Sequence, residues 1–352
     1  MEQTATATAK QSIFKRKDIE ISAKRYLGDA LSAMALGLFA SLLIGLIIKT
    51  TGTEIMKLIG ENNVCNFLVD VGEQSMGLMG AAMGAAIAWG LKAPPLVCFS
   101  STITGMMGAA LGGPAGAFVS VAVGAEFGKM VSKETRVDII VTPVVTILMG
   151  GAASVAIGPA IGKMMTGLGK LIVLSAELHP FFAGLIISVL VGLALTAPIS
   201  SAALCIMLNL TGLAAGAATA GCCAQMIGFA VISYRDNGIG GSVAQGIGTS
   251  MLQISNIFRN PWILIPPTVA GAVTGPLSTL VFKMSNNAMG AGMGTSGFVG
   301  QIGTFAAMGF STSVLVKVLI LHIVLPAFVA VAVDRILRKK GKIKKGDYAL
   351  NV

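Results

Sequence analysis

The chain has 352 residues, of which 54% are hydrophobic and only 11% charged, against about 25% charged in an ordinary soluble domain. So apolar a chain cannot cover a water-facing surface, and a soluble enzyme or soluble nucleic-acid binder is excluded. The net charge of +10 is a matter of placement, because thirteen of the 25 basic residues lie in the two tails.

Residues 1–26 form a polar, basic N-terminal segment carrying Lys10, Lys15, Arg16, Lys17, Lys24 and Arg25. It does not read as a cleavable signal peptide, since the apolar run that follows is long. Long apolar runs of roughly 18–25 residues then recur, the length a helix needs to cross the bilayer. Barrel strands would instead alternate apolar and polar residues in short segments. Ten spans are predicted, over about 27–48, 73–92, 94–111, 114–131, 137–162, 178–197, 198–216, 217–234, 261–283 and 312–336. An amphipathic stretch between Thr53 and Val71 is expected at the outer interface. Asn237–Asn260 and Ser285–Ser311 are too polar and Gly-rich for plain spans, yet too apolar for free loops. The 45 glycines read as close helix packing and as a few deliberate helix breaks. The fold class expected is an all-α integral membrane protein, a polytopic bundle of about ten transmembrane helices with Gly-rich re-entrant segments and an internal repeat. A basic tail, residues 338–352, follows the membrane domain of residues 27–337.

The charges orient this topology. With the N-terminus inside, Lys92, Lys129, Lys133, Arg136, Arg235, Arg259 and both tails fall inside, nineteen basic residues in all. Lys49, Lys57, Lys163, Lys170 and Lys283 fall outside, five in all, with Lys317 within the last span. That bias places both termini in the cytoplasm. The basic excess is thus topological, and no nucleic-acid partner is expected.

An internal echo suggests duplication of 73–162 as 177–283. Glu73 precedes "LKAP" (Leu91–Pro94) by eighteen residues and Glu177 precedes "LTAP" (Leu195–Pro198) by the same interval. Gly80 then overlays Gly184. "TPVV" at Thr142 and "PPTV" at Pro266 each precede a Gly-Pro pair. Both copies begin outside, which makes the repeat parallel.

Gly292, Gly294 and Gly297 fit the G-x-G-x-x-G spacing of a pyrophosphate cradle. That reading needs a preceding strand and an acidic residue about 20 positions on. A transmembrane run precedes them instead, and no Asp or Glu lies between Asp236 and Asp334. The nucleotide reading fails. Irregular backbone at membrane depth survives only when buried in protein or lining a cavity. There, glycine backbone together with Thr295, Ser296 and Gln301 suits an uncharged, hydroxyl-rich solute. Gln253 and Asn256 in the inner segment, and Asn209 and Gln225 inside apolar spans, complete the candidate substrate-binding set. Asn209 and Gln225 either meet solute or bond a neighbouring backbone.

Glu126, Glu177, His179 and His322 are the candidate proton or ligand groups, because ionisable residues are costly in a membrane. Glu126 also sits three residues before Lys129, the spacing of a helical ion pair. Glu177 and His179 in "ELHP" also suit a helix start. The five cysteines, Cys65, Cys98, Cys205, Cys222 and Cys223, show no metal or disulfide spacing. No catalytic constellation, metal site or cofactor is expected.

At "TAPISSAALCIMLNLTGLAAGAATAGCCAQMIGFAVIS", "GIGTSMLQISNIFRNP" and "GAGMGTSGFVGQIGT" the sequence resembles the EIIC-like membrane proteins of the bacterial phosphotransferase system, in the branch that includes the perfringolysin O regulator. The resemblance covers about Lys24 to Lys339. It implies a sugar-transport subunit, a homodimer, in a bacterial plasma membrane, with a separate IIB protein phosphorylating the sugar. The "GITEP"-like loop of classical members has no counterpart here, so Glu177 and His179 do not inherit its roles by alignment. There is no room in the chain for IIA or IIB domains, so phosphorylation would need partner proteins. The alternatives are an ion-coupled secondary transporter, a ligand-sensing membrane regulator, and, least favoured, a Gly-lined channel.

Overall fold

The computed structural model describes residues 16–350 and is all-helical. Lys10 and Lys15 lie outside the described residues. Among the 14 helices of the described residues, six are long and apolar enough to cross a membrane. This is a multi-pass membrane architecture.

The first half is built of long helices doubled back on one another. Helix α1 (Lys24–Ile59) ends at Gly60, whose φ of +84° reverses the chain. Helix α2 (Asn63–Gly77) starts at once, its first amides capped by Asn62 Oδ1, which accepts from Val64 and Cys65 N at 3.0 Å. The stretch 53–71 is therefore helical, divided between α1 and α2. The two run antiparallel, with Gly45 against Gly72 and Gly52 against Cys65 and Leu68. Helix α3 (Met79–Gly90) continues α2 after a break at Leu78.

Helix α4 (Pro95–Val131) folds back on itself at Gly112 and Gly113, the latter with φ of +58°. Its arms pack antiparallel, because Gly108 opposes Gly116 and Ser120 Oγ donates to Thr104 O at 2.8 Å. Helix α5 (Asp138–Ala176) lies along this hairpin. Gly124 and Gly150 meet there so closely that a Cβ on Gly124 would stand 2.7 Å from Thr146 O. Ser120 and Ser154 hydroxyls bond each other at 2.7 Å across the same seam. With no hydrophobic force between helices in lipid, such close backbone approach supplies the packing.

The second half surrounds helix α8 (Gly212–Ile232), whose residues from Ala215 to Met226 are all buried. Helices α6 (Pro180–Thr196), α7 (Ser201–Met207), α11 (Pro261–Leu280) and α14 (Thr312–Lys339) pack around it. A Cβ on Gly221 would lie 1.9 Å from Ser188 O on α6. The sequence places a span boundary between 216 and 217. The structure corrects this: Gly216 and Ala217 are inside α8, and 198–216 holds the short α7 and only the first turn of α8. The break falls at Asn209 and Gly212, which take φ of +47° and +66°. The small-residue run after them contains nothing that stops a helix.

The two segments expected to be irregular are broken. The first holds α9 (Tyr234–Val243), a wide π turn at Ala244–Gly248, extended Thr249, a single tight turn, and α10 (Ile254–Arg259). The second holds α12 (Ala288–Ala291), left-handed Gly294, Gly297 and Phe298, and α13 (Val299–Met308). Gly80 packs on Gly105 of the neighbouring helix and Gly184 on Gly275 of α11.

Candidate binding site

The interruptions in these helices come together. A cavity of about 60 Å³ is lined by Leu38 and Leu42 beside the π turn of α1, Met79 at the α2–α3 break and Pro114 at the α4 turn. Ile199, Ser200 and Ser201 between α6 and α7, Gly248 and Thr249, and Met293 and Ser296 close it. It adjoins a cleft of about 470 Å³ that shares Met79, Ile199 and Ser200 and reaches Gly112 and Gly113. Ligand pockets typically hold about 300–1,000 Å³, so the pair is of a size for a small solute.

Each interruption releases backbone N–H and C=O groups from the helical ladder, and in a membrane these need a partner. The two polar segments touch at their tips: Thr295 Oγ1 donates to Gly246 O at 2.5 Å. Ser201 Oγ donates to Gly292 O at 2.7 Å, tying the α6–α7 turn to the same tip. Ser296 Oγ, 1% exposed, has no partner among the described residues and faces the cavity.

The sequence candidates divide into groups. Ser296 lines the cavity. Thr295 is spent on Gly246. Gln225 is held one layer behind, its Oε1 accepting from Thr196 Oγ1 at 3.2 Å and its Nε2 donating to Thr268 Oγ1 at 3.1 Å. Thr196 in turn meets Ser250 Oγ at 2.8 Å. Gln253 and Asn256 bond Gln245, each other and the C-terminal tail. Asn209 is exposed at the turn between α7 and α8.

Gln301 and His322 form a second buried group. Gln301 Nε2 lies 3.3 Å from His322 Nδ1 and 3.3 Å from Cys223 Sγ. Gln301 Oε1 and His322 Nε2 have no partner among the described residues. His322 occupies a π turn of α14, a distortion common at functional positions.

The remaining ionisable candidates lie apart. Glu126 pairs with Lys129 at 3.0 Å and accepts from Tyr26 Oη at 3.0 Å. Glu177 is exposed at the end of α5. His179 caps α6, its Nδ1 accepting from Phe181 N at 3.3 Å. Sequence reasoning missed Ser200, Ser201, Thr249 and Pro114 as cavity residues. "LGGP" at Leu111–Pro114 carried the strongest available signal, a Gly-Pro turn inside an apolar run.

The chain matches the family described as "Phosphotransferase system, EIIC" over residues 28–350. It belongs to that family. This EIIC protein is accordingly a membrane transporter of the phosphotransferase type. Neither the search of curated proteins nor that of solved structures returned a match.

Proposed function

We propose that this EIIC protein binds a small neutral polar solute, a sugar, in the cavity where its helix breaks meet, and translocates it by alternating access. The observation that carries the reading is the convergence of six chain interruptions and the unpartnered Ser296 hydroxyl on one cavity. Neutral hydroxyls and freed backbone groups match sugar hydroxyls, each both donor and acceptor, and the immediate lining carries no charged side chain. The segments 237–260 and 285–311 enter as re-entrant elements from opposite faces, and their Thr295–Gly246 contact is the barrier that one conformation closes.

The nineteen-to-five bias of basic residues supports cytoplasmic termini. The start of α1 and the tail up to Ala349 lie at one end of the bundle, since α10 bonds Gly28 O through Ser255 Oγ at 3.0 Å and Ala349 O through Asn256 Nδ2 at 2.9 Å. A homodimer in a bacterial plasma membrane, served by a separate IIB protein, completes the proposal. The buried Gln301–His322 pair favours one rival, an ion-coupled carrier in which His322 takes up the proton.

Uptake into vesicles decides between them. A phosphoenolpyruvate-dependent phosphorylating system should drive accumulation of a labelled sugar, with His322→Gln retaining transport. Accumulation driven by a pH gradient alone, and abolished by His322→Gln, would establish the rival.

A further inference from the structure

The C-terminal tail is folded, not loose. After α14 the chain turns at Gly341 (φ +68°), with Lys342 N donating to Leu337 O and Gly341 N to Arg338 O, both at 3.0 Å. This is the glycine-ended helix stop that reverses a chain. Ile343 and Tyr348 then bury themselves against Phe229 and its neighbours. Tyr348 is fully enclosed: its ring lies edge-on to Phe229, Arg338 stacks over it, and its hydroxyl donates to Asp334 at 2.7 Å.

The tail's backbone is gripped by the inner polar segment. Tyr348 O accepts from Asn237 Nδ2 at 2.8 Å and from Gln253 Nε2 at 3.0 Å. Ala349 O accepts from Asn256 Nδ2, and Leu350 N donates to Asn237 Oδ1 at 2.8 Å. Gln253 also donates to Gln245 Oε1 at 2.8 Å, and Gln245 belongs to the same π turn as Gly246. One layer of chain therefore has the cavity on one side and the tail on the other. Thr249 and Met251 face the cavity, while Leu252 and Ser255 line a small void with Ala349 and Leu350.

We infer that residues 346–350 are a latch that holds the Ala244–Asn256 segment shut beneath the cavity, and that opening toward the face bearing the termini requires the tail to leave. The inference rests on the reading that the Thr295–Gly246 contact is the barrier on that side. Besides the buried Tyr348 ring and the ties of Gly346 N to Asp236 Oδ1 at 3.2 Å and of Asn260 Nδ2 to Asp347 Oδ2 at 2.7 Å, its grip is made of neutral amide–carbonyl hydrogen bonds, each worth about 0.5–1.5 kcal/mol net. A clasp of a few such bonds holds firmly yet opens within a transport cycle. The exposed Lys344 and Lys345 beside it give a cytosolic protein or an anionic surface a handle on the tail.

The test uses Ser296→Cys as reporter, because that hydroxyl has no protein bond to lose. An impermeant thiol reagent is applied to vesicles from the face bearing the termini, with the unsubstituted protein as background. Tyr348→Ala, or removal of residues 346–352, should speed modification about tenfold or more, the factor expected when one net hydrogen bond or more no longer favours the closed state. Asn237→Leu serves where those variants do not fold, since it removes only the ties to Tyr348 O and Leu350 N. Unchanged reactivity in any folded variant with a freed tail overturns the latch. The solute reading fails by a different sign, absence of sugar protection at the same cysteine, so the two failures are distinguishable.

Discussion

Gly108 and Gly294 are both buried glycines set against backbone, and they serve opposite ends. Gly108 lies in a regular helix, and its missing side chain lets the arms of the α4 hairpin touch at Gly116. Gly294 interrupts a helix with φ of +55° and rests against Cys222 of α8. Around Gly108 small residues serve closeness, with hydroxyls such as Ser120 and Ser154 satisfied across the seam. Around Gly294 they serve a break, and there polar atoms such as Ser296 Oγ, Gln301 Oε1 and His322 Nε2 have no partner among the described residues. Composition alone does not separate the two uses. Local backbone geometry does.

The largest expected effect sharpens that contrast. Gly221→Val would drive a side chain into Ser188 O, 1.9 Å from the Cβ position, at a cost of more than about 3 kcal/mol. Loss of folded, inserted protein should be visible in size-exclusion profiles of detergent extracts. Gly294→Val meets Cys222 at 2.8 Å and a left-handed backbone that costs a side chain about 1–2 kcal/mol. It should yield inserted protein without solute-dependent thermal stabilisation. Equal loss of folding in both would erase the distinction between packing glycines and site glycines.

A smaller effect separates the cavity from its supports. Ser296→Ala should leave thermal stability unchanged, since no protein bond is lost, while weakening solute binding by the roughly 1–3 kcal/mol of a buried hydrogen bond. That is about 5- to 150-fold. Gln253→Leu should do the reverse, lowering stability by about 1–3 kcal/mol because Gln245 and Tyr348 lose partners, with solute affinity nearly retained. Calorimetry and thermal melts on both variants read the two quantities directly.

The smallest effect is a pH dependence at the periphery. Lys17, with Arg16 nearby, holds the Glu134 carboxyl below the usual carboxylate range. A carboxylate lowered in the folded state adds stability above its unfolded value, near about 4.3. That stability is lost as pH falls through the lowered folded value. A spin label at Ile21→Cys should therefore become more mobile on acidification below that range, and high salt should blunt the change.

Much of this architecture was legible in the sequence. The membrane class followed from charge scarcity, and the two broken segments followed from polar residues mixed with glycine in 237–260 and 285–311. The α4 turn was legible at Gly112–Pro114. The boundary within 198–234 was not, because a helix of Ala, Gly and Cys shows no period that locates its start. Among the candidate site residues, Ser296 faces the cavity, while the amides of Gln253 and Asn256 are taken by the tail. Side-chain chemistry names what can bond a sugar. It does not say whether a carbonyl 95 residues further along the chain has already taken the bond.

The central claim is that solute occupies the cavity between the halves. The most direct measurement is protection of cysteines from thiol modification by added sugars, comparing Ser296→Cys and Ile199→Cys in the cavity with Phe258→Cys, which is exposed outside it. A transported sugar should slow modification at the first two in a saturable manner and leave the third unchanged. A sugar that is demonstrably transported yet protects neither cavity cysteine would contradict the account.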